Sequence, residues 1–372
     1  VTAQRTDQVV DDILDAAGWG SGSTYRTLDV GKTTITRYWK DGTFTVPALL
    51  EVESTEGGFI REGKDGKIIF DNRHHRLSGA ALTSQATYSD AAGAARVYSG
   101  IIQDDPLPGI FNIFSTEIQT YTTASVAVLW TLSESGANSP AISPSVALTY
   151  IARYPTRGSA NNAVGVNTWT TVASTTDMVA NAAADGSGTN MTSDVGISVS
   201  KSSETMEITL TNNGSVPAYI TKLQARGTGI TADDPATIKV EDTTSQTDFG
   251  KRTWPSKTPW IPTTLEALDW ADYNIGIFKD PTAVLKLSYW ANRDTNSLNE
   301  MLDRDISERV TVVAENNADL SVDQDFFIEA VSHQISANRL HKVTYLLSDA
   351  AEFSDSWVLN TSALGTSTRL AY

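Results

Sequence analysis

The chain has 372 residues, no cysteine and a formal net charge of −16, with 40% apolar and 19% charged residues. That length accommodates two or three domains with cores of their own, and the missing thiols exclude disulfides and thiolate chemistry. The acidity argues against a sequence-reading nucleic-acid binder, which needs a basic face against phosphates, and against an anionic membrane surface as partner.

No run of about 18 apolar residues occurs, so no membrane-spanning helix is expected. Val1 is not an initiator methionine, and residues 1–5 lack the basic and apolar regions of a signal peptide, which leads us to expect a processed, trimmed or partial chain. Thr, Ser, Ala, Asn and Gly fill the spacers between short Val/Ile/Leu/Tyr alternations, the signature of a mainly β protein with a few helices, of the α+β class.

In chain order, Val9, Val10, Ile13, Leu14 and Ala17 recur at helical spacing, which predicts a helix over 6–17 closed by Gly18. Residues 19–23 read as a turn and 33–39 as a strand leading to an Asp41-Gly42 turn. Thr45 is placed to cap a second helix opening on Val46 and Pro47, with Val46, Leu49 and Leu50 as its apolar stripe and Gly57-Gly58 as its stop. Phe59 and Ile60 then open a strand, Asp65-Gly66 suits a two-residue hairpin turn, and Ile68 to Phe70 return. The hairpin leaves through Asp71-Asn72-Arg73-His74-His75-Arg76.

Residues 78–108 shift to Ala, Ser, Asp and Gly and end in a stiff Asp104-Asp105-Pro106-Leu107-Pro108 connector, where a module boundary is expected. Beyond it, 117–132 alternates with Val126, Val128, Trp130 and Leu132 on one side, and Val146, Leu148, Tyr150, Ala152 and Tyr154 repeat the pattern. Met206, Ile208 and Leu210, the Asn212-Asn213-Gly214 turn and 216–225 form a further hairpin. Together these strands predict an antiparallel β-sandwich of roughly 100 to 120 residues.

After Thr228, the Thr263/Glu266 and Ser297/Glu300 pairs have capping-box spacing and predict helices over 263–279 and from 297. Strands are expected at 285–290, 310–314, 326–335 and 341–347. The resulting division is 1–106, 107–230 and 231–372.

The Glu56-Gly57-Gly58, Asp65-Gly66 and Phe70–Arg76 pieces, with 9–39 before them, resemble a recurring segment of tail hub (baseplate hub) proteins of tailed bacteriophages and related injection particles. Residues 211–227 resemble the final hairpin of a β-domain inserted in phage tail-tip proteins, and 357–370 resembles the hub C-terminus. The resemblance implies hub modules at both ends of the chain, the first of them incomplete, flanking an inserted sandwich. It further implies a homotrimer in the tail tip of a virion, contacting the tail tube, the distal tail ring and tip or fibre proteins. DNA would pass without specific binding, and an acidic wall would repel it. Two alternatives stay open: an adhesin binding a host glycan or protein through the sandwich, and a cell-wall hydrolase.

Candidate chemistry is sparse. His74-His75 beside Asp71 suggests a metal or a general base, but adjacent strand residues point to opposite faces and no further His or Cys is near. Glu51, Glu53, Glu56, Asp65 and Asp71 offer carboxylates without a recognisable pocket to separate their acidities. Asp319, Asp323 and Asp325 lack the glycine and closing glutamate of a calcium loop. His333 and His341 sit on strands with no nucleophile elbow nearby, and Trp254, Trp260, Trp270 and Trp290 read as packing before sugar stacking. We therefore expect no catalytic, cofactor-binding or metal residues, and no enzyme.

Overall fold

The computed structural model describes residues 2–370 apart from 39–42, 105–108, 156–161, 255–259, 282–283, 317–319, 321, 338, 354–355 and 358–368. Trp39, the Asp41-Gly42 turn, residues 105–108 of the connector, Asp319 and most of 357–370 lie outside the described residues. The chain is mainly β with five α-helices among the described residues. It forms two compact units, Val1–Ile118 with Ala236–Tyr372, and Gln119–Pro235.

The first unit opens on strand Thr2–Arg5, paired antiparallel with Thr34–Arg37, and runs into helix Thr6–Ala16, which ends because Gly18 takes a left-handed φ of 76°. The Gly18 and Trp19 amides then reach back to the Asp15 and Leu14 carbonyls, satisfying two of the four carbonyls a helix end leaves bare. Helix Thr45–Glu56 begins one residue earlier than expected: Phe44 is the N-cap and Thr45 the first helical residue. Its buried face is Ala48, Leu49, Val52, Thr55 and Glu56, whereas Val46 and Leu50 of the expected stripe are exposed. Val9, Val10 and Leu14 meet Leu49 and Val52 over Phe70, Ile35 and Trp260.

Phe59–Glu62 and Ile68–Asp71 pair antiparallel, and Arg26–Leu28 joins Ile68–Asp71 in parallel. The hairpin loop is three residues, Lys64-Asp65-Gly66, not two. The Gly66 amide bonds the Gly63 carbonyl, Gly63 bonds Lys67, and Gly66 sits at φ 75°, which is a tight turn followed by a left-handed bulge residue.

A six-stranded sheet follows the spatial order Ala86–Ser89, Arg309–Val313, Asp323–Ile335, His341–Asp349, Val284–Trp290, Gly100–Asp104, antiparallel except for its first pair. Its core holds three tyrosines in ring contact, Tyr88, Tyr289 and Tyr345. The Tyr289 and Tyr345 hydroxyls share a 2.7 Å hydrogen bond, and Tyr88 donates to Glu300 at 3.1 Å. Glu300 belongs to helix Thr295–Asp303, whose N-cap is Asp294, three residues ahead of the expected Ser297.

A smaller sheet of Ala236–Glu241, Ile113–Ile118 and Thr253–Trp254 packs on helix Thr264–Phe278, capped by Thr263 as its spacing predicts. Trp270 is buried there and Trp254 stacks on Phe114 and Phe278; Trp260 is buried too, and Trp290 is partly exposed. Helix Thr243–Phe249, not foreseen from the sequence, is capped by Asp242.

The second unit is an antiparallel sandwich. Strand Ala218–Ala232 is long enough to pair with Tyr121–Thr131 and Ala141–Ile142 and also with Ala163–Trp169 and Met178–Asn181. The facing sheet is Ala147–Arg153, Thr205–Asn212, Val195–Lys201. Met206, Ile208 and Leu210 from one sheet and Ala218, Ile220, Leu223 and Ala225 from the other fill the space between. Composition placed this module at 107–230; the unit runs from 119 to 235 because Ile113–Ile118 pairs with Ala236–Glu241 in the first unit.

Candidate functional site

The Glu-Gly-Gly sequence at the end of helix Thr45–Glu56 has a separate physical reason at each position. Glu56 is 0% exposed, and its carboxylate accepts from Thr6 Oγ1 at 2.7 Å and from the backbone amides of Lys32 and Thr33 at 3.1 and 3.0 Å. Gly57 takes a left-handed φ of 70°, which reverses the chain. At Gly58 a Cβ would stand 2.3 Å from the Asp71 carbonyl oxygen, so only glycine lets the two strands meet. Arg73, also buried, brings Nε to 3.9 Å from Glu56 and donates through Nη2 to Thr33 Oγ1.

The hairpin exit is a chain of ion pairs. Asp71 accepts from Arg61 Nε at 3.2 Å, and the far end of the same guanidinium reaches Asp305 at 2.8 Å. His74 and His75 follow the strand instead of lying on it, and His75 opens a 3-10 turn over His75–Leu77. This corrects the expectation of opposed strand faces and leaves His75 Nδ1 2.7 Å from Asp29 and 3.5 Å from Asp71. Arg76 makes a two-pronged contact with Glu329, at 2.6 and 2.8 Å, donates to Ser307 Oγ at 3.1 Å and lies over the rings of Phe59 and Phe327. Lys64, at the hairpin tip, donates to the Leu302 and Arg304 carbonyls, where the end of helix Thr295–Asp303 concentrates negative charge. The hairpin is thus fastened at its tip to the end of helix Thr295–Asp303, at its middle to Asp305 just after that helix, and at its exit to Glu329 of the six-stranded sheet.

A cleft of about 240 Å³ lies beside this network, lined among others by Arg61, His75, Gln85, Asp305, Ser307 and Glu308. His75 and Ser307 both face it, but among the described residues no hydrogen bond joins them, and Ser307 Oγ is held by Arg76. Asp29, Asp71 and His75 each place one ligand-type atom within 4.8 Å of the others. Arg61 already neutralises Asp71, so the group reads as alternating charges in contact.

The other sequence candidates are dispersed. Glu51 accepts from Trp260 Nε1 at 3.1 Å, Asp65 pairs with Lys67 at the turn, and burial pushes the half-buried Glu53 above the usual carboxylate range. Asp323 and Asp325 lie on a strand, not in a loop, and Asp325 is occupied by Arg309 and Thr311. Asp29, Arg61, Asp305 and Glu329 were not singled out from sequence. The available signal was indirect: basic residues that enter the interior of a strongly acidic chain must find carboxylates there.

The hydrogen bond from His75 holds the Asp29 carboxyl below the usual carboxylate range, and the same bond, against the opposing effect of burial, raises His75 above its ordinary 6.5. A raised histidine stabilises fully below 6.5 and loses that contribution as pH rises through its folded value. A lowered Asp29 contributes above 3.8 and loses it as pH falls. The stability difference between the wild-type chain and His75→Gln is therefore expected to be largest between about pH 4 and 6.5 and to shrink at alkaline pH. Urea midpoints measured across pH check this; a difference that grows above pH 8 contradicts it.

No protein-family model matches the chain, and no curated protein matches it. Among solved structures, a tail protein from Neisseria meningitidis MC58 aligns at 8% identity over 94% of this chain and 68% of its own, with a TM-score of 0.46. The 43 kDa tail protein of prophage MuSo2 from Shewanella oneidensis aligns at 9% identity over 95% of this chain and 65% of its own, with a TM-score of 0.43. Both scores lie below the level from which a shared fold follows.

Proposed function

We propose that the chain is a structural component of a phage-type tail, a hub at the tail tip that carries a β-sandwich as an insertion. The observation that carries this reading is the condition of the 56–76 segment, on which the resemblance to tail hubs rests most specifically. Glu56, Arg61, Asp71, Arg73, His75 and Arg76 all contact one another, buried backbone groups or the six-stranded sheet. Such a segment acts as a joint. The grouping of both ends of the chain in one unit, with the sandwich between them in sequence, supports the same reading.

On this reading the partners are two further copies of the chain, the tail tube, the distal tail ring and tip or fibre proteins, and the place is the virion tail tip. Genomic DNA passes along an acidic wall without specific binding, as like charge repels it. The chain is a scaffold and not an enzyme.

The sandwich has a surface suited to contact between copies. Strand Tyr121–Thr131 pairs on one side only among the described residues, and Val126 and Val128 are 57% and 49% exposed although they alternate like core positions. The nearby edge strand Ala147–Arg153 exposes Leu148 and Ile151. Residues 119–152 contain one charged group, Glu134. Edge strands with little charge invite contact, and a chain of net charge −16 meets its own kind most readily where it carries least charge. These side chains are aliphatic, which suits strand contact better than the aromatic stacking a glycan-binding adhesin requires. The mass of the native species in solution tests the reading: a trimer or larger ring is expected, and a monomer at every concentration counts against it.

A further inference from the structure

We propose that His333 and His341 form a two-imidazole site for one zinc-class divalent cation at the exposed end of a sheet hairpin. The pair belongs to strands Asp323–Ile335 and His341–Asp349, in the register Ile335↔His341 and His333↔Val343. His333 therefore stands diagonal to His341 on one face of the hairpin, the relation in which cross-strand side chains touch. The ring centroids are 5.1 Å apart, and His333 Nδ1 lies 3.0 Å from His341 Nε2.

Two ring nitrogens at that distance share one proton, one donating and the other accepting. A metal ion occupies the same position with more to gain, because it accepts both lone pairs at once. Zinc holds imidazole nitrogen at about 2.0–2.1 Å, and tetrahedral geometry then places the two nitrogens about 3.4 Å apart. Zinc binding moves the donating ring's proton to its other nitrogen, so that both rings stay neutral, and requires the rings to part by about 0.4 Å, a small side-chain rotation where His333 is exposed and His341 partly so. Water completes the coordination on the open side.

The other histidines are less suited. His75 already directs Nδ1 at Asp29 with Arg61 close by, and the chain has four histidines and no cysteine in all. Zinc bound at 333/341 bridges the two strands beyond the buried part of the sheet, where Ile335 and Leu340 are exposed.

The test is calorimetric titration of the full chain with zinc chloride at pH 7.5, in the wild type and in His333→Gln, His341→Gln and His75→Gln. One zinc per chain is expected, weakened at least about tenfold by either of the first two substitutions, as loss of a ligand exceeds the effect of losing its supporting contacts, and unchanged by the third. The imidazole proton resonances of His333 and His341 should shift together on zinc addition to the wild type, and a dispersed amide spectrum of each variant shows that it folds. Absence of zinc uptake, wild-type affinity in His333→Gln and His341→Gln, or a loss that follows His75→Gln would each overturn the proposal. The site is independent of the tail reading, since none of these outcomes depends on assembly.

Discussion

Glu56→Ala is expected to lower the stability of the first unit by about 3–5 kcal/mol, the range for removing one partner of a buried ion pair. The wild-type carboxylate is fully buried and is the acceptor for the Thr6 hydroxyl and the Lys32 and Thr33 amides, with Arg73 at 3.9 Å. Alanine leaves those donors without their acceptor beside a buried void, and water cannot compensate groups that stay buried. Glu56→Gln retains an acceptor oxygen without the charge and should lose about half as much, since bonds to charged groups are roughly twice as strong as neutral ones. Hydrogen exchange at the amides of Lys32 and Thr33, together with urea midpoints, measures both. Equal stability of Glu56→Ala and wild type would mean that the carboxylate does not organise the loop.

Arg76→Ala is expected to cost about 3 kcal/mol, at the lower end of the same range because Glu329 keeps some access to solvent. Arg76→Lys should recover little, since an ammonium cannot match the two-pronged contact or cover Phe59 and Phe327 as a planar guanidinium does. The double variant Arg76→Met/Glu329→Leu should regain most of the loss, because it removes both charges together and keeps the volume filled. A double-mutant cycle in urea separates the pair from its surroundings. Additive single losses would contradict the direct coupling that the 2.6 and 2.8 Å contacts imply.

Local signals in the sequence located the elements well where chemistry and geometry coincide over a few residues. Helix Thr6–Ala16 with its glycine stop, the Thr263 cap, the left-handed Gly66 and the alternating Met206, Ile208 and Leu210 each depend on neighbours within a turn or a strand. Misreadings arose where two local signals competed. Ser297 and Asp294 both suit a cap, and Asp294 prevails because its carboxylate reaches the Ser297 amide. Helix Thr243–Phe249 has polar residues in place of an apolar stripe, so periodicity gave no indication of it. Val126 and Val128 alternate as core residues do, yet they are exposed; alternation reports a two-faced strand and says nothing of what covers either face.

The candidate site was half legible. Glu56, Asp71, His75 and Arg76 were visible as a motif, but their partners Asp29, Asp305 and Glu329 come from distant parts of the chain, Glu329 253 residues from Arg76. Pairing over such separations is set by how the hairpin lies on the sheet and leaves no local pattern.

The measurement that bears most directly on the tail-hub account is the native mass of the full chain, by light scattering and native mass spectrometry over a range of concentrations, beside a Val126→Lys/Val128→Lys variant. The account predicts a trimer or larger ring for the wild type and weaker association for the variant, since lysine on an edge strand opposes pairing. A wild-type chain that stays monomeric throughout would contradict it.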